Sequence, residues 1–222
     1  MAIWLKYLLT AVIGYFLGNF SGGIVIGRIY GIRDIRKVGS GNAGTTNVLR
    51  NLGWLPSVLT LAGDCLKGML AALIGKWLGG DVGLVIGGTC AVLGHDFPVV
   101  FRFKGGKGVA TYLGLILILD WRIAVILTVI VLAVVAVTRY MSVGSILACF
   151  LYPALVVIFR AGRPHYAVYV LSAFFAGALT LFQHRANLLR LVQKKENRLD
   201  FRKISDISRK INSQMHDKSA HK

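Results

Sequence analysis

The feature that most constrains this chain is a series of long apolar stretches separated by short polar ones. A transmembrane helix needs about 20 mainly apolar residues, and seven stretches are candidates, several of them shorter than this. They cover about 3–26, 55–78, 82–93, 109–119, 123–137, 145–159 and 166–182. With 55% hydrophobic and only 16% charged residues, the chain is too apolar for an ordinary soluble domain. The pattern predicts an all-α polytopic membrane protein with seven transmembrane helices.

Lys and Arg are distributed unevenly between the two sides that this topology creates. Twenty of the 26 lie in the tail or in the loops that follow the first, third and fifth stretches. Five lie on the opposite side, and Lys67 lies within a stretch. Because positive residues favour the cytoplasmic side, the N-terminus is expected outside and the C-terminus in the cytoplasm. The positive-inside distribution of Lys and Arg then explains the net charge of +17. Because the chain has no basic face interleaved with aromatic residues, we expect no nucleic-acid partner.

Two regions are expected along the chain. Residues 1–182 are expected to form a transmembrane domain whose polar loops face the cytoplasm, and residues 183–222 are expected to form a basic cytoplasmic tail. The tail places Leu199, Phe201 and Ile204 among basic residues. This pattern fits an amphipathic helix on anionic lipid, and it equally fits a solvated, partly disordered tail.

Metal and disulfide chemistry are not expected. The three cysteines, Cys65, Cys90 and Cys149, all lie inside apolar stretches, and no C-x-x-C pair occurs. An odd number in this setting argues against a disulfide framework or a zinc site. We expect them to act as small buried hydrophobic residues.

The first polar loop contains a dense motif, Gly39 to Arg50, with three glycines, two amides, three hydroxyls and one arginine in twelve residues. Glycines permit close backbone approach, so that successive N–H groups can surround an anion. A short helix is expected to begin near Thr45, which would turn its positive end towards the glycines. The motif matches G-x-G-x-x-G, but no βαβ unit surrounds it, which excludes a dinucleotide site. It predicts a phosphate site, and a flexible loop is the alternative.

The second motif runs from Gly94 to Thr111 and contains Gly105-Gly106-Lys107-Gly108 directly before the fourth stretch. This is a second glycine-rich turn at a helix N-terminus, with a lysine that suits phosphate. The spacing is not that of a Walker motif, because Gly108 stands where Ser or Thr is required. His95 lies outside the H-x-x-x-x-D acyltransferase signature, since Val100 occupies the Asp position, and it is expected to anchor the loop.

Further polar residues stand near the ends of apolar stretches. Ser142 and Gly144 begin the sixth stretch, and His184, Asn187 and Arg190 follow the seventh at helical spacing. Ser142 could serve only as a helix cap, and Arg190 only as a membrane-flanking cation. Within the second stretch, Asp64 and Lys67 share a helix face. Ionisable residues at that depth are costly when unpaired, so we expect a structural pair that supports the site.

These motifs together resemble the bacterial membrane acyl-phosphate:glycerol-3-phosphate acyltransferase family. Gly39 to Arg50 matches the pattern GSGNxGxTNxxR, and Gly94 to Thr111 matches GHxFPxxxxFxGGKGVAT. The third block is His184-x-x-Asn187-Leu188-x-Arg190-Leu191, followed by Glu196. One position departs from the family pattern: Lys194 stands where Gly is common.

The resemblance implies a seven-helix enzyme of the bacterial inner membrane with its active site facing the cytoplasm. It would move a fatty acyl group from acyl phosphate to the 1-hydroxyl of glycerol 3-phosphate, giving lysophosphatidic acid and phosphate in the first step of phospholipid synthesis. Acyl-CoA and acyl-carrier protein would not be direct donors, and no cofactor is implied. Partners would be the two substrates, membrane lipid and, functionally, a soluble enzyme that makes acyl phosphate. The acyl chain would lie between helices, open to lipid.

Residue roles follow from the same resemblance together with the charges of the motifs. Ser40, Lys107, His184 and Asn187 are assigned to catalysis and, with Arg50, to glycerol 3-phosphate. The acyl-phosphate head is assigned to Asn42, Thr46, Gly105, Gly106, Gly108, Ser142 and Gly144. Supporting positions are Asp64, Lys67, His95 and Glu196. The base is either His184 or the departing phosphate.

A transporter of a phosphorylated solute is the alternative function. Transporters place their sites near the midplane, between repeated halves with broken helices. In this chain the motifs stand at helix ends on one side, and no internal repeat is visible. The enzyme is therefore favoured.

Overall fold

The computed structural model describes the backbone of residues 1–220 and the side chains of residues 1–213, and all regular secondary structure in this part is helical, without strands. Ten α-helices follow one another along the chain. They are α1 (Ile3–Asn19), α2 (Gly22–Ile29), α3 (Thr45–Leu52), α4 (Trp54–Asp96), α5 (Val109–Leu119), α6 (Trp121–Thr138), α7 (Met141–Arg160), α8 (Tyr166–Gln183), α9 (Arg185–Val192) and α10 (Phe201–Ala220). Single 3₁₀ turns lie at Ile35–Lys37 and Val99–Phe101.

Five helical segments in the described chain are long and apolar enough to cross a membrane. They are Ile3–Ile29, Trp54–Phe101, Trp121–Thr138, Met141–Arg160 and Tyr166–Gln183, and Val109–Leu119 is a shorter apolar helix. Large apolar side chains cover the outside, among them Trp77, Ile158 and Leu171. An apolar surface of this extent suits lipid rather than water. The predicted all-helical membrane fold is confirmed at this level.

Helix α4 is folded back on itself. Gly79 and Gly80 leave the helical conformation, with φ of +63° at Gly80. A Cβ at Gly75 would overlap the carbonyl oxygen of Gly83, so the two halves of α4 pack with their backbones in contact. The turn expected at Gly79-Gly80 is therefore present, and small residues allow the close approach.

The first predicted span differs from the structure in one detail. We expected a continuous helix to about Ile26, but α1 ends at Asn19 and α2 begins at Gly22. Ser21 caps the second helix by accepting a hydrogen bond from the Ile24 N–H at 3.4 Å. The break frees backbone carbonyls at Gly18 and Phe20, and the Lys67 ammonium donates to both. A buried charge thus replaces the lost helical hydrogen bonds.

The core lies between α4, α5, α6, α7 and α8. Its fully buried members include Ile123, Val156 and Ala173. A smaller cluster joins the tail to the body, since Leu199 and Ile204 are buried with Leu49 and Val135. In addition, the Trp54 N–H donates to Ser208 Oγ at 3.0 Å. Over its described side chains, the tail helix α10 is docked on the protein.

Candidate active site

The three motifs meet at one cavity of about 450 Å³, which we call the motif cavity. Its polar end takes residues from the loop before α3, from the start of α5, from the start of α7 and from α9. They are Ser40, Asn42, Thr45, Thr46, Arg50, Lys107, Gly108, Ser142, His184, Asn187, Arg190 and Glu196. Asp64 and His95 also line the wall. Chain segments as far apart as Ser40 and Glu196 are therefore brought to a single site.

Asn47 holds the first motif in shape. Its amide nitrogen donates to the carbonyls of Ile35 at 2.9 Å, Val38 at 3.1 Å and Asn42 at 2.9 Å. Its side-chain oxygen accepts the Ser40 N–H at 2.9 Å. Only 1% of Asn47 is exposed. Sequence reasoning predicted no role for this residue beyond membership of the motif, because its partners are backbone atoms five to twelve residues away.

The helix expected near Thr45 is confirmed, since α3 begins there. The Asn42 side chain does not stand free before it, because Asn42 Oδ1 accepts the Gly44 N–H at 2.8 Å. Gly44, Thr45 and Thr46 line the motif cavity, so the N-terminus of α3 borders it. This end of the helix carries a partial positive charge that suits an anion.

Arg50 lies one turn further along α3. Its Nη2 donates to the carbonyl oxygen of Asn197 at 2.9 Å. Its Nε is buried and has no hydrogen-bond partner among the described residues. Burial lowers the pKa of Arg50, with Glu196 opposing and Arg190 adding to that shift, although a guanidinium stays charged at neutral pH. Arg50 lines the motif cavity, and its Nε–H is thus a cationic donor there without a partner among the described residues.

Glu196 is the centre of a hydrogen-bond network beneath the polar end. Its carboxylate accepts from Asn187 Nδ2 at 2.7 Å, Ser142 Oγ at 3.0 Å and Arg190 Nε at 2.8 Å. Burial raises the pKa of this carboxyl, but the hydrogen bonds from Asn187, Arg190 and Ser142 outweigh it and lower the pKa overall. Arg190, which the sequence left as a membrane-flanking cation, therefore belongs to the site.

The network continues to Lys107. Because Asn187 donates to Glu196, its side-chain oxygen is turned the other way, where it accepts from the Lys107 ammonium. Burial lowers the pKa of Lys107 to about 8 despite the opposing charge of Glu196. Lys107 is therefore a positioned cation with donors left for a substrate.

His184 is held as a neutral ring. Its Nδ1 lies 2.8 Å from the carbonyl oxygen of Thr180, and since a carbonyl only accepts, Nδ1 carries the proton. Burial and the charge of Lys107 lower the pKa of His184 to about 4. At neutral pH the other nitrogen, Nε2, is left with a lone pair, which is the form that a general base requires.

A buried ionic cluster lies beside the motif cavity, where Asp64 and His95 line the wall. Lys67 Nζ lies 2.8 Å from Asp64 Oδ1 and 2.6 Å from His95 Nδ1, which confirms the predicted pair. Asp64 also accepts the Gly22 N–H at 3.2 Å. The carbonyl of His95 accepts the Gly106 N–H at 3.0 Å. The cluster thereby ties α2 and α4 to the glycine turn, which agrees with the anchoring position expected for His95.

The glycines of the second motif and of the start of α7 differ in placement. Gly108 lines the motif cavity and caps α5 with a φ of +71°. Gly105, Gly106 and Gly144 do not line it. A Cβ at Gly106 would overlap His95 Nε2, one at Gly105 would overlap the His95 carbonyl, and one at Gly144 would press on Val131. Their substrate-binding role stays a prediction, but packing explains why these positions lack side chains.

Lys194, the one departure from the family pattern, has a left-handed backbone with φ of +56°. The Lys194 N–H donates to Leu191 and the Lys195 N–H donates to Arg190, which is the Schellman ending of a helix. Gly fits this conformation without strain. The helix therefore ends in the way that Gly would allow, and the backbone leads on to Glu196. The left-handed conformation costs more conformational free energy with Lys194 than with Gly.

An apolar arm continues the motif cavity between α5, α6, α7 and α8. Leu113, Ile116, Leu127, Val131, Cys149, Tyr152 and Ala176 line it. Leu132 also lines the cavity and is 60% exposed on the outer apolar surface. One cavity thus joins a cationic polar end to an apolar channel.

Comparison with known proteins agrees with this arrangement. The family model described as glycerol-3-phosphate acyltransferase matches residues 8–194. A glycerol-3-phosphate acyltransferase of Thermoanaerobacter pseudethanolicus is 39% identical over 86% of this chain and 94% of its own length. One of Thermus thermophilus is 41% identical over 89% of this chain and 95% of its own length.

Two solved structures share the fold. The glycerol 3-phosphate form of PlsY (YgiH), an integral membrane glycerol 3-phosphate acyltransferase, has a TM-score of 0.80 with 38% identity, covering 87% of this chain and 96% of that one. Its lysophosphatidic acid form also has a TM-score of 0.80, with 36% identity over 89% and 97% of the two chains. By sequence and by fold, the chain belongs to the glycerol-3-phosphate acyltransferase family.

Proposed function

We propose that this protein transfers a fatty acyl group from acyl phosphate to the 1-hydroxyl of glycerol 3-phosphate, giving lysophosphatidic acid and phosphate. The observation that carries the proposal is the motif cavity itself, in which Arg50, Lys107 and His184 meet the head of an apolar arm. Such a cavity fits two phosphates at one end and an acyl chain at the other. The reaction is the first step of phospholipid synthesis.

The acceptor phosphate is assigned to Arg50 and Lys107. The free Nε of Arg50 and the ammonium of Lys107 are both cationic donors at the polar end, and hydrogen bonds of this kind are the strong ones. Ser40 lines the same end and adds a hydroxyl. The donor phosphate is assigned to the N-termini of α3 and α5. Asn42 and Thr46 lie at the first of these helix ends, and Gly108 lies at the second.

His184 acts as the base in this scheme. The 1-hydroxyl oxygen of glycerol 3-phosphate attacks the acyl carbon of acyl phosphate. The bond from that carbon to the phosphate oxygen breaks, and inorganic phosphate leaves. The hydroxyl proton passes to His184 Nε2 and from there to the departing phosphate. An acyl phosphate is already activated, so positioning and charge stabilisation can supply most of the rate. Asn187 and Glu196 keep Lys107 in place.

The protein crosses the membrane seven times in this proposal. The two halves of α4 count as separate crossings, and the short helix α5 is the fourth. The N-terminus lies outside and the tail in the cytoplasm, as the excess of Lys and Arg on the motif side favours. The polar end of the cavity then faces the bacterial cytoplasm, where a soluble enzyme supplies acyl phosphate. Residues 1–182 form the catalytic domain and residues 183–222 complete its site.

The test uses purified protein in detergent with palmitoyl phosphate and glycerol 3-phosphate and no added metal. Lysophosphatidic acid and phosphate should appear together, whereas palmitoyl-CoA should give neither. His184→Ala should lower kcat by about 10²–10⁴-fold, the usual contribution of a general base. His165→Ala is the matched control, because His165 is exposed in the turn before α8.

Three outcomes would overturn parts of this proposal. Robust turnover with palmitoyl-CoA contradicts the donor. Full activity of His184→Ala leaves the departing phosphate as the base. Uptake of a phosphorylated solute into vesicles, without product formation, supports the transporter instead.

A further inference from the structure

The apolar arm of the motif cavity has a definite floor. Following each surrounding helix from the polar end, the last lining residues are Ile116 on α5, Leu127 on α6, Tyr152 on α7 and Ala176 on α8. All four are buried members of one core cluster. Beyond them the helices are closed by Ile123 and Val156, which are fully buried.

The depth of this floor follows from helix geometry at about 1.5 Å per residue. Tyr152 lies ten residues past Ser142, which places it about 15 Å below the polar end. Ile116 lies eight residues past Gly108, and Ala176 eight before His184, which gives about 12 Å. The hydrocarbon core of a bilayer is about 30 Å thick, so one leaflet is about 15 Å deep. The arm therefore matches the length of an ordinary membrane acyl chain.

Tyr152 is the largest side chain of the floor. Only 4% of it is exposed, although it lines the cavity, so its ring is wedged between core residues and the end of the arm. Small residues, Ala148 and Cys149, precede it on α7 and leave the upper part of the arm open. Along α7, the lining side chains thus change from small at Ala148 and Cys149 to large at Tyr152.

Building on the proposed function, we propose that Tyr152, together with Leu127 and Ala176, sets the upper limit of acyl-chain length. A chain that ends above the Tyr152 ring is bound along its whole length. A longer chain meets the ring and the closed core behind it, and must bend or leave its end outside. Because a single methylene in an apolar pocket changes specificity by about 10–200-fold, the floor acts as a length filter.

The experiment measures kcat/KM for myristoyl, palmitoyl and icosanoyl phosphate and compares the icosanoyl-to-myristoyl ratio among variants. Tyr152→Ala lowers the floor and should raise this ratio at least tenfold. Leu127→Ala should raise it less, and Ala176→Leu should lower it. Phe150→Ala is the matched control on the same helix, because Phe150 is 62% exposed and does not line the cavity.

The outcomes separate this inference from the proposed function. If the unmodified protein turns over no acyl phosphate, the proposed function fails. If it does so, and the ratio is unchanged in Tyr152→Ala, Leu127→Ala and Ala176→Leu, the floor does not measure chain length. Should Tyr152→Ala fail to insert, the opposite shifts of Leu127→Ala and Ala176→Leu decide the matter. A shift in Phe150→Ala as large as that in Tyr152→Ala also contradicts the assignment.

Discussion

At the scale of single residues, Lys107 is the group whose charge should depend on pH in the working range. Burial lowers its pKa to about 8, so its ammonium is lost as the pH rises through that value. In the proposed role the cationic form of Lys107 binds the phosphate of glycerol 3-phosphate. The value of kcat/KM for this substrate should therefore fall above about pH 8, since kcat/KM reports the free enzyme. Lys107→Arg keeps its charge to much higher pH and should remove this fall. The measurement is a pH profile of both proteins, and an identical fall in Lys107→Arg would contradict the role.

The site residues were predictable from the sequence wherever charge and spacing carried the information. Arg50, Lys107 and His184 stood out as ionisable groups at helix ends and all line one cavity. Asn47 was given no role, because its function is to hold the backbones of Ile35, Val38 and Asn42, and no local spacing shows such contacts. Gly106 was interpreted as an approach to phosphate, which stays a prediction, and the structure adds that a Cβ there would meet the His95 ring. A glycine pattern alone does not tell which neighbour requires the missing side chain.

At the scale of helices, the packing of α1 on α4 depends on small residues. A Cβ at Gly18 would overlap the carbonyl oxygen of Ala91, so even alanine forces these two backbones apart. Gly18→Ala should therefore destabilise the protein by about 1–3 kcal/mol, as overpacking usually does. Thermal unfolding in detergent measures this effect.

Gly63 provides the matched control for that substitution. It lies in α4, whereas Gly18 lies in α1, and the nearest atom to a Cβ there would be Phe20 Cε1 at 3.6 Å, an ordinary contact. Because alanine is the better helix former, Gly63→Ala should be neutral or stabilising by up to about 1 kcal/mol. Equal thermal stability of the two variants would show that contact between α1 and α4 does not decide stability.

The apolar helices were predictable in approximate place, but their ends and partners were not, and the short helices α2, α3 and α9 and the tail helix α10 bring the described structure to ten α-helices. Apolar stretches gave the segments, and Gly79-Gly80 gave the fold of α4. The break between α1 and α2 was missed because Phe20 and Ser21 interrupt neither the hydropathy nor the small-residue pattern. For the tail, the sequence left open a helix on anionic lipid and a solvated, partly disordered segment. In the structure, apolar residues of the tail pack on Leu49 and Val135. Composition shows that a face is apolar and leaves open what covers it.

At the scale of the whole molecule, the orientation in the membrane links the charge pattern to the chemistry. Arg50, Lys107 and Glu196 line the same end of one cavity, and twenty of the 26 Lys and Arg residues were assigned to that side. If the positive-inside rule holds, the substrates enter from the cytoplasm. The turn at Gly79-Gly80 then lies outside, at the far end of the folded α4.

Reporter fusions test this orientation in living cells. A fluorescent protein that matures only in the cytoplasm should fluoresce when fused after Lys222, and alkaline phosphatase inserted between Gly79 and Gly80 should be active outside. Exchanging the two reporters gives the matched control, since each should then be silent. Fluorescence from the position between Gly79 and Gly80 would place this turn in the cytoplasm. With the tail also in the cytoplasm, the two halves of α4 would then not each cross the membrane, and the count of seven crossings would be wrong even though the cavity stays as described.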